Sequence, residues 1–239
     1  MALRDDTQRD HLMRFFKTGK GQYGEGDRFL GLKVPQTRAI VKEVRLRVAL
    51  EEIERMLYSE WHEVRLCALL LLVEEMKANT PKKNDSPHTL GIKEERRRDI
   101  ATFYLRHARQ ANNWDLVDLS CGYILGVYIR LSASEDHGIL YRLAQSTNLW
   151  EQRIAIVSTL ELIRNGIYHP TIRIADMLIG HPHDLIHKAV GWMLREIGKR
   201  DRAILLDYLT RNSTRLPRTA LRYAIEHLHE PQRQYWLKK

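Results

Sequence analysis

Apolar residues recur at three- and four-residue spacing along almost the whole chain, and no stretch alternates as a half-buried strand would. The pattern predicts helices over residues 7–17, 35–44, 50–57, 62–77, 94–107 and 113–130. Further helices are expected over 135–144, 149–164, 171–179, 184–198, 202–210 and 217–227. Several starts carry suitable chemistry. Pro35 fits a first helical position, where a missing N–H costs nothing. Asn113 and Asp184 each have a side-chain oxygen able to cap the helix that follows. Two stretches break the pattern: residues 19–31, rich in glycine, and residues 78–92, whose Pro, Asn, Lys and Ser content predicts a flexible basic loop.

The second half of the chain hints at a repeat. Arg153-Ile154-Ala155-Ile156-Val157 and Lys188-Ala189-Val190-Gly191-Trp192 each follow a polar turn and open an apolar helix, thirty-five residues apart. The same step back from Arg153 reaches Asp118, while the similar run from Arg65 to Leu69 falls outside this register. A period near 35 in an all-helical chain suits stacked helical pairs of the HEAT type, in which equivalent positions line one face. The expected fold is therefore all-α: a curved, HEAT-like solenoid forming a single domain over residues 1–239. Asp118, Arg153 and Lys188 would stand in a row, with Trp114 and Trp192 one helical turn from Asp118 and Lys188.

Charge sharpens the picture. Thirty-nine Lys and Arg against 30 Asp and Glu leave a net +9 and a pI near 9.6, a balance suited to a polyanion. Lys33, Arg38, Lys82, Lys83, Lys188, Arg195, Lys199 and Arg218 are the candidate phosphate contacts. The polar opening from Met1 to Asp6 has no signal-peptide core, and the apolar run 66–73 is far too short to span a bilayer. Two cysteines, Cys67 and Cys121, both in apolar helical stretches, argue against a disulfide framework. A cytoplasmic, nucleoid-associated monomer is expected, without membrane contact or an obligate protein partner. His181, His183 and His187 lack the carboxylates or cysteines that would complete a metal site, so no metal is expected. The glycines from Gly19 to Gly26 lack the Gly-Lys-Ser/Thr ending of a phosphate-binding loop.

Trp114-Asp115-Leu116-Val117-Asp118 resembles the Trp-Asp-x-Val-Asp signature of the AlkD-type DNA glycosylases. The segments from Trp150 to Ile156 and from Lys188 to Glu196 are similar to that family's next two blocks, and Gly31 to Arg38 to an earlier one. The resemblance covers about residues 29–228, with the four blocks in the family's order. The chain departs from the family at Asn113, where a second tryptophan often stands, and in a longer 78–92 loop. The resemblance implies HEAT-like repeats around duplex DNA and excision of N3- and N7-alkylated purines without metal or organic cofactor. Carried over, Asp118 is the catalytic carboxylate and Arg153 its cationic neighbour. Trp114 and Trp192 flank the lesion's sugar and backbone.

The chemistry is coherent. Alkylation at N3 or N7 places positive charge on the purine, so the base leaves neutral and needs no general acid. Positive charge then develops on the deoxyribose, where a fixed carboxylate is worth on the order of 3 kcal/mol and can orient water. Arg153 would pair with Asp118 or a phosphate and keep the acid ionised. Asp115 is the rival carboxylate, although its early helical position is explained by the helix N-terminus. A broad solenoid face predicts little dependence on a base-specific pocket and tolerance of bulky adducts. Two other readings remain open: a non-catalytic protein recognising distorted duplexes, and a HEAT scaffold for acidic protein partners. DNA affinity that falls steeply with salt separates the DNA readings from the scaffold.

Overall fold

The most apolar run of the sequence becomes the middle of helix α4 (His62–Ala78), which is apolar on every face and buries residues 65–73 without a break. A helix of that kind must be surrounded. It is packed by α2 (Val34–Val44), α3 (Leu50–Leu57), α5 (Pro87–Arg106) and α6 (Trp114–Asp118). The computed structural model describes residues 3–132 and 137–239, which group into two compact units, Met1–Ile124 and Leu125–Lys239. The first unit also holds α1 (Asp6–Phe15) and a 3₁₀ turn, Ala108–Gln110.

The second unit is built on two long helices, α9 (Leu149–Arg164) and α11 (Asp184–Gly198), which pack on each other. α7 (Val127–Leu131), α8 (Gly138–Ala144) and α10 (His169–Leu178) lie against α9; α10, α12 (Arg202–Asn212) and α13 (Arg218–Ala224) lie against α11. α14 (Glu230–Lys238) closes the chain. Secondary structure is thus helical, as the periodicity predicts; the described residues hold only one isolated bridge, between Arg28 and Trp61. No described helix is long and apolar enough to cross a membrane.

The differences from expectation have local causes. α5 starts at Pro87 because Ser86 caps it, accepting from the Thr89 N–H at 3.2 Å, with proline at the first position. The basic loop therefore shrinks to residues 79–86, and it is tied down rather than flexible. Lys93 Nζ meets Asp85 at 2.7 Å, and Arg97 donates to the Asn79 carbonyl at 2.7 Å. The helix expected over 113–130 is divided into α6, a π-turn (Gly122–Gly126) and α7. There the Ser120 hydroxyl donates to the Leu116 carbonyl at 2.6 Å, and two glycines weaken the ladder. His183, not Asp184, caps α11 by accepting from the Leu185 N–H, and Asp184 instead pairs with Lys188 at 2.8 Å. Pro35 sits one residue inside α2 rather than at its first position. α14 has few apolar residues and escapes the pattern, yet it buries Trp236. The expected start of a helix at Glu135 and the opening residues Met1 and Ala2 lie outside the described residues.

Gly191 marks a close approach of α11 to α13 in the second unit. A Cβ there would stand 2.4 Å from the Ala220 carbonyl oxygen and 2.5 Å from Tyr223 Cβ on α13. Gly191→Ala should therefore destabilise the protein by about 1–3 kcal/mol through overpacking, despite alanine's better helix propensity. A urea midpoint equal to or above that of the native chain would contradict this packing.

Candidate active site

α6 is short, and its first turn is built with care. Asn113, in an extended conformation, accepts from the Trp114 N–H at 2.9 Å and caps the helix. Trp114 and Asp118 are four residues apart and so share one face. Both are half-buried and line the same cavity of about 470 Å³ in the first unit. The cavity walls are almost wholly apolar, supplied by Leu12, Phe15 and Phe16 at the end of α1 and by Phe29, with Lys33 at its edge. Trp114 stacks on Phe16 with ring centres 5.3 Å apart and meets Phe15 edge-on at 5.9 Å. Phe15 remains 55% exposed, an open aromatic face beside a carboxylate. Such a surface favours flat or cationic groups.

Beneath α6 lies a charge network that sequence reasoning missed. His62, the first residue of α4, is almost completely buried and contacts a carboxylate at each ring nitrogen. Its Nδ1 is 2.7 Å from Asp27 Oδ2 and its Nε2 is 2.8 Å from Asp115 Oδ2. Phe29 stacks against the ring with centres 4.4 Å apart, and Phe16 lies tilted to it at 5.1 Å. Asp27 also accepts from Arg65 and, at 3.4 Å, from the Asn113 amide. Burial disfavours charge on His62, but the hydrogen bonds and charges of Asp115 and Asp27 outweigh it and push its pKa up to about 9. Burial likewise opposes ionisation of Asp27, and His62 and Arg65 prevail to hold its carboxyl below the usual value. Asp115 is thus more than a helix N-terminal acid: it is buried, and its hydrogen bond to His62 ties α6 to α4.

The neighbouring loop is fixed by another carboxylate. Glu63 accepts from the backbone N–H groups of Leu30, Gly31 and Leu32 at 2.8–3.1 Å. Gly31 has φ of +92°, and a Cβ there would stand 2.0 Å from the Asp5 carbonyl oxygen, so only glycine fits.

In the second unit, Arg153 is the fifth residue of α9 and Lys188 the fifth of α11, as Asp118 is the fifth of α6, so the thirty-five-residue register falls on matching helical positions. Arg153 is buried and donates to the Leu185 carbonyl at the start of α11. Trp192 is half-buried on α11. Of the candidate phosphate contacts, Lys33, Arg38, Lys82 and Lys83 are exposed in the first unit. In the second, Lys188 pairs with Asp184, Arg195 with Glu226, Lys199 with Glu196 at 2.7 Å, and Arg218 donates to the Leu237 carbonyl at 2.9 Å. A phosphate would have to compete with these internal partners. His181 bonds to Gln152 at 2.9 Å and His183 caps α11; no cluster of metal-ligand type occurs among the described residues.

Comparison with known proteins follows the same direction. A model of the family described as "DNA alkylation repair enzyme" matches residues 1–228. A solved structure, described as a predicted DNA alkylation repair enzyme from Enterococcus faecalis, is similar with a TM-score of 0.71. The likeness spans 95% of this chain and 97% of that one at 18% identity, which shows a shared fold. Comparison with curated proteins finds no match.

The buried network makes stability depend on pH. The folded-state pKa of His62 lies above its ordinary 6.5, so its contribution is complete below about pH 6.5 and is lost as pH rises through 9. The difference is worth about 3 kcal/mol. Asp27 acts in the opposite sense, its contribution vanishing as pH falls below 3.8 through its lowered value. Urea denaturation at pH 6.5 and 10 should show this loss in the native chain and a much smaller one in His62→Gln. Equal losses in both proteins would remove His62 as the cause.

Proposed function

The chain belongs to the DNA alkylation repair enzyme family, and from that premise we propose that it is a DNA glycosylase excising N3- and N7-alkylated purines from duplex DNA. Membership makes DNA its partner and repair of alkylated DNA its field of action. The observation that carries the finer reading is the placement of Asp118 and Trp114 on one face of α6, lining an apolar cavity. Water is scarce against such walls, so a carboxylate there acts at low effective dielectric on charge developing nearby.

In the proposed mechanism the alkylated purine leaves as a neutral base, taking the electron pair of the glycosidic bond. Asp118 stabilises the oxocarbenium-like sugar and orients the water that attacks C1′; the proton that water sheds goes to the carboxylate or to solvent. The Trp114 indole packs against sugar C–H groups. Arg153 and Trp192 are proposed, on the resemblance alone, as the accompanying cation and second indole. Lys33, Arg38, Lys82 and Lys83 supply exposed positive charge for phosphates. The open aromatic cavity supports the expectation that adducts larger than methyl are accepted.

The test is release of 7-methylguanine from methylated duplex DNA by the native chain and by Asp118→Asn, with folding and DNA binding matched. Native activity with a variant slower by about a hundredfold or more is expected. Equal release by both proteins would move the role to another carboxylate. Release of neither 7-methylguanine nor 3-methyladenine by the native chain would refute the glycosylase reading.

A further inference from the structure

Each nitrogen of the His62 ring faces a carboxylate oxygen, at 2.7 Å from Asp27 and 2.8 Å from Asp115. Carboxylates only accept, so both contacts are hydrogen bonds only when both ring nitrogens carry hydrogen. A neutral imidazole has one N–H and must abandon one partner. The other groups around the ring do not relieve this demand. Arg65 is engaged with Asp27 and with the Ser59 carbonyl, and Glu63 is filled by three backbone N–H groups. Phe16 and Phe29 offer only ring faces, and the Asn113 amide reaches Asp27 at 3.4 Å.

Asp115 is the vulnerable end. Its Oδ1 is buried with no hydrogen-bond partner, so His62 is the hydrogen-bond donor that holds this side chain. Asp27 keeps Arg65 and Asn113 when His62 lets go. Asp115 follows Trp114 directly and precedes Asp118 by one turn, in a helix of only five residues that has little stability of its own.

We propose that His62 is a positioning residue for the base-excision site: clamped between Asp27 and Asp115, it fixes α6 and so holds Trp114 and Asp118 at the cavity. The proposal rests on the glycosylase reading, but its first readout does not need activity. A displacement of Asp118 by about an ångström is enough to slow the chemical step up to a hundredfold. DNA affinity, which rests on distributed phosphate contacts, is unaffected.

Trp114 reports on the clamp. The emission of the native chain minus that of Trp114→Phe, followed from pH 7 to 10 with folding checked by circular dichroism, should change with a midpoint near 9. The same difference taken in the His62→Gln background should be flat. Base release is compared at pH 7 only, because an N7-alkylguanine itself loses a proton in alkali. At saturating enzyme, His62→Gln should lower the single-turnover rate constant about tenfold or more while leaving DNA affinity within twofold. Asp115→Asn, which keeps an acceptor for a single N–H, serves as the second variant and should also flatten the Trp114 titration. An active native chain whose Trp114 emission is constant across this range overturns the clamp alone. A His62→Gln protein with the native rate overturns the positioning role. Titrating emission in a native chain that releases no base overturns the positioning role together with the glycosylase reading.

Discussion

A histidine ring buried between two aspartates is the constraint from which the first unit is organised. Burying three ionisable groups together is tolerable only because each completes another's hydrogen bonds; removing one partner from such a set typically costs 3–5 kcal/mol. The three come from different segments: Asp27 from the glycine-rich turns, His62 from α4 and Asp115 from α6. Satisfying the ring thus forces these segments to a common point. Arg65 extends the set along α4, and Phe16 and Phe29 pack against the ring and against each other. The cavity beside Trp114 and Asp118 is the space left next to this fixed point, and its aromatic walls are the same rings that cover the histidine.

This arrangement separates two jobs that a short helix would otherwise confuse. Asp115 and Asp118 lie three residues apart and both border the cavity, yet Asp115 is buried and bound to His62 while Asp118 is half-buried. Helical geometry alone leaves the two only about sixty degrees apart, so the division comes from depth and partner: His62 holds Asp115 inward. A five-residue helix can hold such a division only if something outside it supplies the rigidity, and here the supply is electrostatic. The solved structure from Enterococcus faecalis shares the fold at 18% identity, so the backbone arrangement does not require this particular sequence throughout.

Much of the helical layout was legible because period and capping agree. α3, α9 and α11 begin and end where the apolar spacing puts them, with Asn148 capping α9 and His183 capping α11. The common face of Trp114 and Asp118 was legible for the same reason, since a spacing of four allows little else in a helix. The break after α6 was not, because Ser120, Gly122 and Gly126 each weaken a helix only slightly and only their combination diverts it. Nor was the histidine network, whose partners lie 35 and 53 residues from His62 along the chain. Local pattern carries no information about such pairings; a histidine after Trp61 looks like any other helix start. The walls of Phe15, Phe16 and Phe29 were hidden likewise, each reading locally as one more apolar residue.

The loop over Leu30, Gly31 and Leu32 has a consequence of its own. Three consecutive amide hydrogens converge on one point, the arrangement by which backbone nests seize phosphate groups. Here the seat is already taken by Glu63, an anion delivered by the protein itself and tethered so that it does not diffuse away. These three amides are therefore closed to a nucleic-acid phosphate while Glu63 holds them, although they have the geometry to grip one. Any attraction for a phosphate near this loop would have to come from side chains, and Lys33 and Arg38, both exposed, are the ones proposed for it.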